Sequence, residues 1–297
     1  MRTLLSVLLT AGCTPALAAL NIFACTPEWG ALAKELAGDR ARIFVATTAQ
    51  QDPHRIEARP SLLARARTAD LVVCTGADLE AGWLPLLQTG AGNPRIQAGQ
   101  PGYFEAAAAV TLIERPASLD RAHGDVHAAG NPHLHLHPRN VAAVAAALAQ
   151  RMAELDPKEA LHYRARADGF LRRWREATAR WEAHGARLRG TAVIVHHRDL
   201  AYLVAWLGLR EAGALEPRPG IAPSAAHLSE LIALTKREPV KAIVRSAYSD
   251  ARPAEWLSAQ TGIPAVVLPY TVGGTPAARD LFGLFDDTLA RLLAVAG

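Results

Sequence analysis

The sequence predicts an α/β fold of two lobes, each built on a mostly parallel sheet, joined by one long helix. Three observations carry this reading. Short β-branched runs alternate with helical patterns in both halves of the chain, as βαβ units do. A single apolar stripe at 4-3-4-3 spacing runs through the middle. Half of the 297 residues are hydrophobic and a fifth are charged, which suits one large or two medium packed domains and excludes a disordered chain.

The first residues read as a targeting segment. Arg2 supplies a positive start, residues 4–11 are an apolar run too short to span a bilayer, and Ala16-Leu17-Ala18 is an A-x-A cleavage signal. The mature chain is expected to begin near Ala19, exported to a bacterial periplasm. Thr10-Ala11-Gly12-Cys13 also resembles a lipoprotein box, with Thr10 where Leu is usual, so a lipid anchor at Cys13 is the alternative. No later stretch reaches 18 apolar residues, and a soluble mature protein is expected.

In the first half, strands are expected over 20–25, 43–47, 71–75 and 110–113, with helices over 29–37 and 60–69. Cys25 and Cys74 each end one of these strands. In an oxidising compartment they can pair as a disulfide, or they can remain two buried thiols; without C-x-x-C spacing a zinc site on them is the weaker reading. The second half repeats the rhythm, with strands over 192–197, 242–246 and 265–269 and helices over 200–207, 224–236, 253–261 and 281–296.

Between the halves, residues 156 to about 188 read as one helix. Asp156 can cap it, Pro157 fits its first turn, and Glu159 sits where a capping box needs a carboxylate. Tyr163, Ala167, Phe170, Trp174, Ala177, Trp181, His184 and Leu188 form its stripe. At 1.5 Å per residue such a helix would run ~50 Å, enough to cross both lobes as a spine. An ordinary surface helix is the alternative, and Gly169 weakens the case for an unbroken one. The division is then 1–18 leader, 19–140 first lobe, 141–188 linker helices, and 189–297 second lobe. A stiff helix between two α/β lobes leaves a cleft, where such sheets bind ligands.

Charge says little about partners. Lys+Arg 32 against Asp+Glu 28 leaves +4, with no basic run of five, so nucleic acid is not an expected partner. Histidine says more. Of the eleven, five fall between His123 and His137, and two are adjacent at His196-His197. His54 follows the 43–47 strand, His197 ends the 192–197 strand, and His133 lies in a loop before a helix that starts near Pro138. All three therefore sit where a cleft would be lined, and imidazole is a common ligand for Zn²⁺. A lone His is more often a hydrogen-bonded structural residue, and His162, His184 and His227, on helical segments, are read that way. His133-Leu134-His135-Leu136-His137 is either a strand with three His on one face or a turn with one pointing inward; Pro138 favours the turn.

Gln51-Asp52-Pro53-His54, followed by Ala58-Arg59-Pro60-Ser61 and Ala69-Asp70-Leu71-Val72-Val73, resembles the first ligand block of the zinc- and manganese-binding solute-binding proteins of ABC importers. Asn131-Pro132-His133-Leu134-His135-Leu136-His137-Pro138 is similar to that family's second block. Val195-His196-His197-Arg198-Asp199-Leu200-Ala201-Tyr202-Leu203 is similar to its third. The resemblance spans 19–297. It implies two Rossmann-like lobes, a rigid linking helix, and one metal ion held in the cleft for delivery to a membrane permease and its ATPase, by a monomer that performs no chemistry. It also implies the ligands His54, His133 and His197, the last preferred over His196 by its distance to Tyr202-Leu203. Two departures stand out. Asn131 and His137 replace Asp in the second block. The family's fourth ligand, an Asp after the final strand, is missing from Val267-Leu268-Pro269-Tyr270-Thr271-Val272-Gly273-Gly274. Asp250, Glu216 or water is expected to fill that place.

Three His without the last Asp favour Zn²⁺ over Mn²⁺. His123, His127, His135 and His137 read either as an auxiliary zinc site, a reduced form of the family's His-rich loop, or as residues that orient His133. Two other functions compete. A zinc hydrolase would use His133-x-His135-x-His137 with Asp125 or Asp52 as base. A metal-scavenging or adhesin-like surface protein would share the fold and the ligands but lack the permease.

Overall fold

A computed structural model describes residues 19–116 and 127–296. The leader, Cys13, His123 and Asp125 lie outside the described residues. The first lobe contains β1 (Leu20–Ala24), α1 (Pro27–Ala37), β2 (Ala41–Val45), α2 (Pro60–Arg67), β3 (Leu71–Cys74), α3 (Leu84–Ala91) and β4 (Tyr103–Glu105). Two helices follow, α4 (Pro138–Leu155) and α5 (Ala160–Gly185). The second lobe contains β5 (Ala192–Val195), α6 (Ala201–Leu207), β6 (Arg210–Ala214), α7 (Ala225–Thr235), β7 (Val240–Ser246), α8 (Ala251–Thr261), β8 (Ala265–Leu268) and α9 (Leu281–Ala296).

Both sheets are parallel and share one topology, with strand orders β2-β1-β3-β4 and β6-β5-β7-β8. In each, the first strand lies inside, so successive connections leave in opposite directions and a crevice opens at the carboxyl ends. The interior strands read as unbroken apolar runs because helices cover both of their faces; Leu71–Cys74 and Ala192–Val195 are buried throughout. Cys25 and Cys74 form a disulfide at the β1–β3 switch point, which decides the alternative left open by the sequence.

Three differences from the expected elements have local causes. Residues 110–113 are not a strand; the fourth strand is Tyr103–Glu105, whose three residues are too few to give a periodic signal. Arg210–Ala214 (REAGA) is an edge strand with a charged start and a Gly, so its composition does not read as β. The long helix is α5 flanked by 3₁₀ turns at Pro157–Glu159 and Ala186–Leu188, unbroken through Gly169. Asp156 does not cap it: Asp156 ends α4, and its carboxylate instead accepts a hydrogen bond from the Tyr163 hydroxyl at 3.0 Å.

Of the stripe, Tyr163, Ala167, Phe170, Trp174, Ala177, Trp181 and Leu188 are buried, but His184 is exposed and Gly185 takes the inward place in the last turn. At 26 residues the helix is about 39 Å long. Its first half docks on α1, where His162 Nε2 donates to Ala37 O at 2.8 Å and Arg166 donates to Glu35 O at 2.7 Å. Its second half docks on α9, where Trp181 Nε1 donates to Asp286 at 2.6 Å and Trp181 stacks on Phe285. One continuous apolar core runs from Leu32 and Val73 through Phe170 and Trp174 to Val244 and Leu289. A hinge between the lobes would have to open that core.

Candidate metal centre

His54 and His133 are carried by the first lobe and His197 by the second. His54 lies in the loop after β2. Asp52 Oδ1 accepts from the His54 backbone N–H at 3.0 Å and sits 2.7 Å from its Nδ1, a short Asx-type turn that fixes the ring. Trp83 Nε1 donates to Pro53 O at 3.0 Å from the other side. His133 begins the 3₁₀ turn Leu134–Leu136 before α4, with its backbone N–H bonded to Asn131 Oδ1 at 3.0 Å. His197 follows β5 and adopts extended backbone ahead of the turn Arg198–Leu200. His196 and His197 both line the cavity beside Glu216, and of the two only His197 joins His54 and His133.

The three rings converge. Ring centroids lie 5.3 Å apart for His54–His133, 5.8 Å for His133–His197 and 6.1 Å for His54–His197. One nitrogen from each lies within 4.8 Å of the others. In every case Nδ1 faces an outer oxygen: Asp52 for His54, the Tyr270 hydroxyl at 2.8 Å for His133, and Glu216 Oε2 at 2.7 Å for His197. The two carboxylates fix the Nδ1–H tautomer of His54 and His197 and leave their Nε2 lone pairs for the centre; the Tyr270 hydroxyl pairs with His133 Nδ1 in either tautomer, and a metal on Nε2 selects the Nδ1–H form.

The electrostatics suit a cation. Burial, reinforced by the neighbouring imidazoles His54, His197, His127 and His135, holds the His133 pKa well below the usual range, so that ring stays neutral. Burial also opposes charge on His197, but its hydrogen bond to Glu216 and the charges of Asp199, Glu216 and Asp52 outweigh it, and its pKa is raised. Glu216 is held down to about 2 by His196 and His197 despite the opposing effect of burial. The outer ring of the site is therefore anionic and its inner ring is nitrogen. A 410 Å³ cavity lined by Glu114, His127, Asn131, His133 and His197 lies on one side of the triad. A 230 Å³ cavity lined by Asp52, His54, His196, Glu216 and Asp250 lies on the other. A larger cavity of 590 Å³ near Tyr103 and Arg151 is remote from these groups.

The other candidates fall elsewhere. Glu216 is engaged by His197 and by Gly220 N–H at 2.7 Å. Asp250 caps α8 and holds Arg252 through both oxygens, at 2.6 to 3.0 Å. His135 is fully buried and its Nε2 donates to Tyr270 O at 2.9 Å. His137 accepts from Arg139 N–H at the start of α4 and lies against Trp206. His133, His135 and His137 thus point to three different places, and the arrangement a zinc hydrolase would need is not formed. His127 meets the triad at one ring: its Nε2 lies 3.3 Å from His54 Nε2.

Sequence reasoning did not anticipate the part played by Tyr270. It occupies the loop after β8, where the resembled family carries a carboxylate, at φ 62° and 3% exposure. Its hydroxyl holds His133 and its carbonyl holds His135. Asn131, one of the two departures in the second block, also has a purpose. Its amide donates to Arg198 O and to Glu114, both at 2.9 Å, and Asp could donate to neither. It joins the two lobes one residue away from His197.

The chain is similar to known proteins over most of its length. A family model described as the periplasmic zinc-uptake complex component A, ZnuA, matches residues 22–295. The zinc-binding lipoprotein AdcA of Streptococcus pneumoniae (strain ATCC BAA-255 / R6) is 21% identical over 267 residues, 87% of this chain and 52% of AdcA. The chain thus spans about half the length of the first curated relatives it matches. The high-affinity zinc uptake system protein ZnuA of Bacillus subtilis (strain 168) is 22% identical over 252 residues, 83% of this chain and 77% of that protein. The manganese ABC transporter substrate-binding lipoprotein scaA of Streptococcus gordonii is 24% identical over 155 residues, 51% of this chain and 47% of scaA. A crystal structure of ZnuA shares the fold, with a TM-score of 0.76 at 24% identity, covering 94% of this chain and 97% of that one. With its family model spanning both lobes and the linking helix, this chain belongs to the periplasmic zinc-uptake complex component A family.

Proposed function

We propose that this chain is an exported solute-binding protein that captures Zn²⁺ between its lobes and delivers it to an ABC permease and its ATPase. The observation that carries the reading is the convergence of His54, His133 and His197, each with its Nδ1 already turned to an outer oxygen. His54 and His133 come from the first lobe and His197 from the second, so a bound ion cross-links the two.

Borderline nitrogen donors select Zn²⁺ over the harder Mn²⁺, which needs more oxygen than this inner ring offers. The continuous core and α5 resist a wide hinge, so the change on binding is a local ordering of the ligand loops. Release then follows when the permease strains those loops. The same site on a scavenging surface protein would bind zinc without a permease. A zinc-limited growth defect on deletion, complemented only with the cognate permease present, separates the two.

The direct test is competition with a chelating dye. His54→Ala and His197→Ala are each expected to lower zinc affinity by at least about tenfold. Wild-type binding in both variants would remove the site assignment.

A further inference from the structure

A tetrahedral zinc site with Zn–N bonds of 2.0–2.1 Å requires its nitrogens to stand about 3.3–3.4 Å apart. His127 Nε2 stands 3.3 Å from His54 Nε2, and its ring lies 5.2 Å from that of His54 and 6.2 Å from that of His133. The geometry points to His127 as the fourth ligand, which completes an all-imidazole site. This inference rests on the zinc-capture reading above.

The alternatives for the fourth place have other partners. Glu216 is bound to His197 and Gly220, and Asp250 to Arg252. Asp52 holds both nitrogens on the near side of His54, and the Tyr270 hydroxyl faces His133 Nδ1. Among the described residues, His127 is the one outside the triad whose ring nitrogen meets a ligand nitrogen on the side away from Asp52. Its backbone is aimed by a turn in which Gly130 N–H bonds His127 O at 3.1 Å. Gly130 takes φ 122°, and a Cβ there would come within 2.7 Å of Ile113 O, so the turn requires Gly. Ala128 N–H is tied to Asp78 at 3.2 Å.

The tautomers work out. With its Nδ1–H on Asp52, His54 Nε2 is an acceptor, so the 3.3 Å contact is made by a proton on His127 Nε2. Metal binding moves that proton to His127 Nδ1 and puts two lone pairs on the ion. Four imidazoles and no inner carboxylate set the ion class: Zn²⁺, Co²⁺ and Ni²⁺ bind, and Mn²⁺ competes poorly.

The experiment uses the full chain loaded with Zn²⁺. Zinc-edge X-ray absorption is expected to count four imidazoles in the wild type, and three plus one oxygen donor in His127→Ala. Zinc affinity in that variant is expected to fall roughly tenfold to a hundredfold. His127→Asp, which restores a donor but supplies oxygen, should recover part of the loss and narrow the preference for Zn²⁺ over Mn²⁺. Three imidazoles in the wild type, with unchanged affinity in His127→Ala, would overturn the fourth ligand while leaving the triad intact. Unchanged affinity in His54→Ala and His197→Ala would instead overturn the capture site itself.

Discussion

His133 Nδ1 lies 2.8 Å from the hydroxyl of Tyr270, a residue 137 positions away on the opposite lobe. The contact exists because Tyr270 adopts φ 62°, a left-handed conformation that a bulky side chain rarely takes. His135 Nε2–H, bonded to the carbonyl of the same residue, helps hold it there. Where the resemblance implies an inner carboxylate after the last strand, this structure has an outer phenol against His133. Tyr270→Phe removes the oxygen that pairs with His133 Nδ1 and leaves a buried ring nitrogen without its hydrogen bond. Zinc affinity should drop about tenfold to a hundredfold with the fold retained. A dye-competition titration beside a circular dichroism spectrum checks this. Full affinity would mean that packing alone orients His133.

Glu216 offers a sharper distinction between two roles. As the outer partner of His197 it needs only an acceptor facing Nδ1–H. Glu216→Gln keeps such an acceptor and should leave zinc affinity close to wild type, whereas Glu216→Ala should lose roughly tenfold. If Glu216 bound the metal directly, both substitutions would remove the anionic donor, and Glu216→Gln would also lose affinity. Isothermal titration of the two variants side by side settles which role it has.

The Cys25–Cys74 disulfide closes a loop across 49 positions at the β1–β3 switch point. In the chain-entropy view a cross-link of that span stabilises by up to about 4 kcal/mol, and measured values are commonly 2–4. The double substitution Cys25→Ala, Cys74→Ala should lower the urea midpoint by a corresponding amount. Both cysteines are buried in an apolar cluster with Phe23, Val72 and Trp83, so zinc affinity should hold. A large loss of affinity at unchanged stability would place the disulfide in the site rather than beneath it.

What the sequence could and could not reveal follows from where each signal resides. The triad was legible because His54, His133 and His197 each sit in a local block whose neighbours, such as Asp52-Pro53 and Asn131-Pro132, mark the loop. The α5 stripe was legible because its period persists over many turns. The short strand β4 and the polar edge strand β6 carried no periodic signal of their own. Asp156 looked like a cap because its spacing was right, but the end of α4 already occupied that residue. The outer shell was the hardest part. Tyr270 and Glu216 meet their histidines only through the tertiary fold, and nothing near them in sequence says so. His127 was read as auxiliary because a cluster of His on a loop does not reveal which ring turns inward.

Glu80 should make the stability of the metal-free protein depend on pH in an unusual direction. Its carboxylate is buried at 1% exposure and accepts N–H bonds from Thr75 at 2.8 Å and Gly76 at 3.0 Å. Burial, reinforced by the charge of Glu28, outweighs those bonds and pushes its pKa from 4.5 up to about 7. A carboxyl raised on folding binds a proton that the unfolded chain releases. Its contribution is therefore fully present below pH 4.5 and is lost as pH rises through 7. The full swing is about 3 kcal/mol at 1.36 kcal/mol per pH unit. Glu80→Gln cannot titrate, so the stability of the wild type minus that of this variant should fall by about 3 kcal/mol between pH 4.5 and pH 7, pass through zero, and then level off with the variant the more stable. Its amide satisfies only one of the two backbone donors, which adds a constant penalty of about 1–3 kcal/mol that does not vary with pH. Urea unfolding of both proteins, stripped of metal, at four or five pH values separates the two effects. A difference that stays constant across the range would mean that Glu80 is ionised in the folded state throughout.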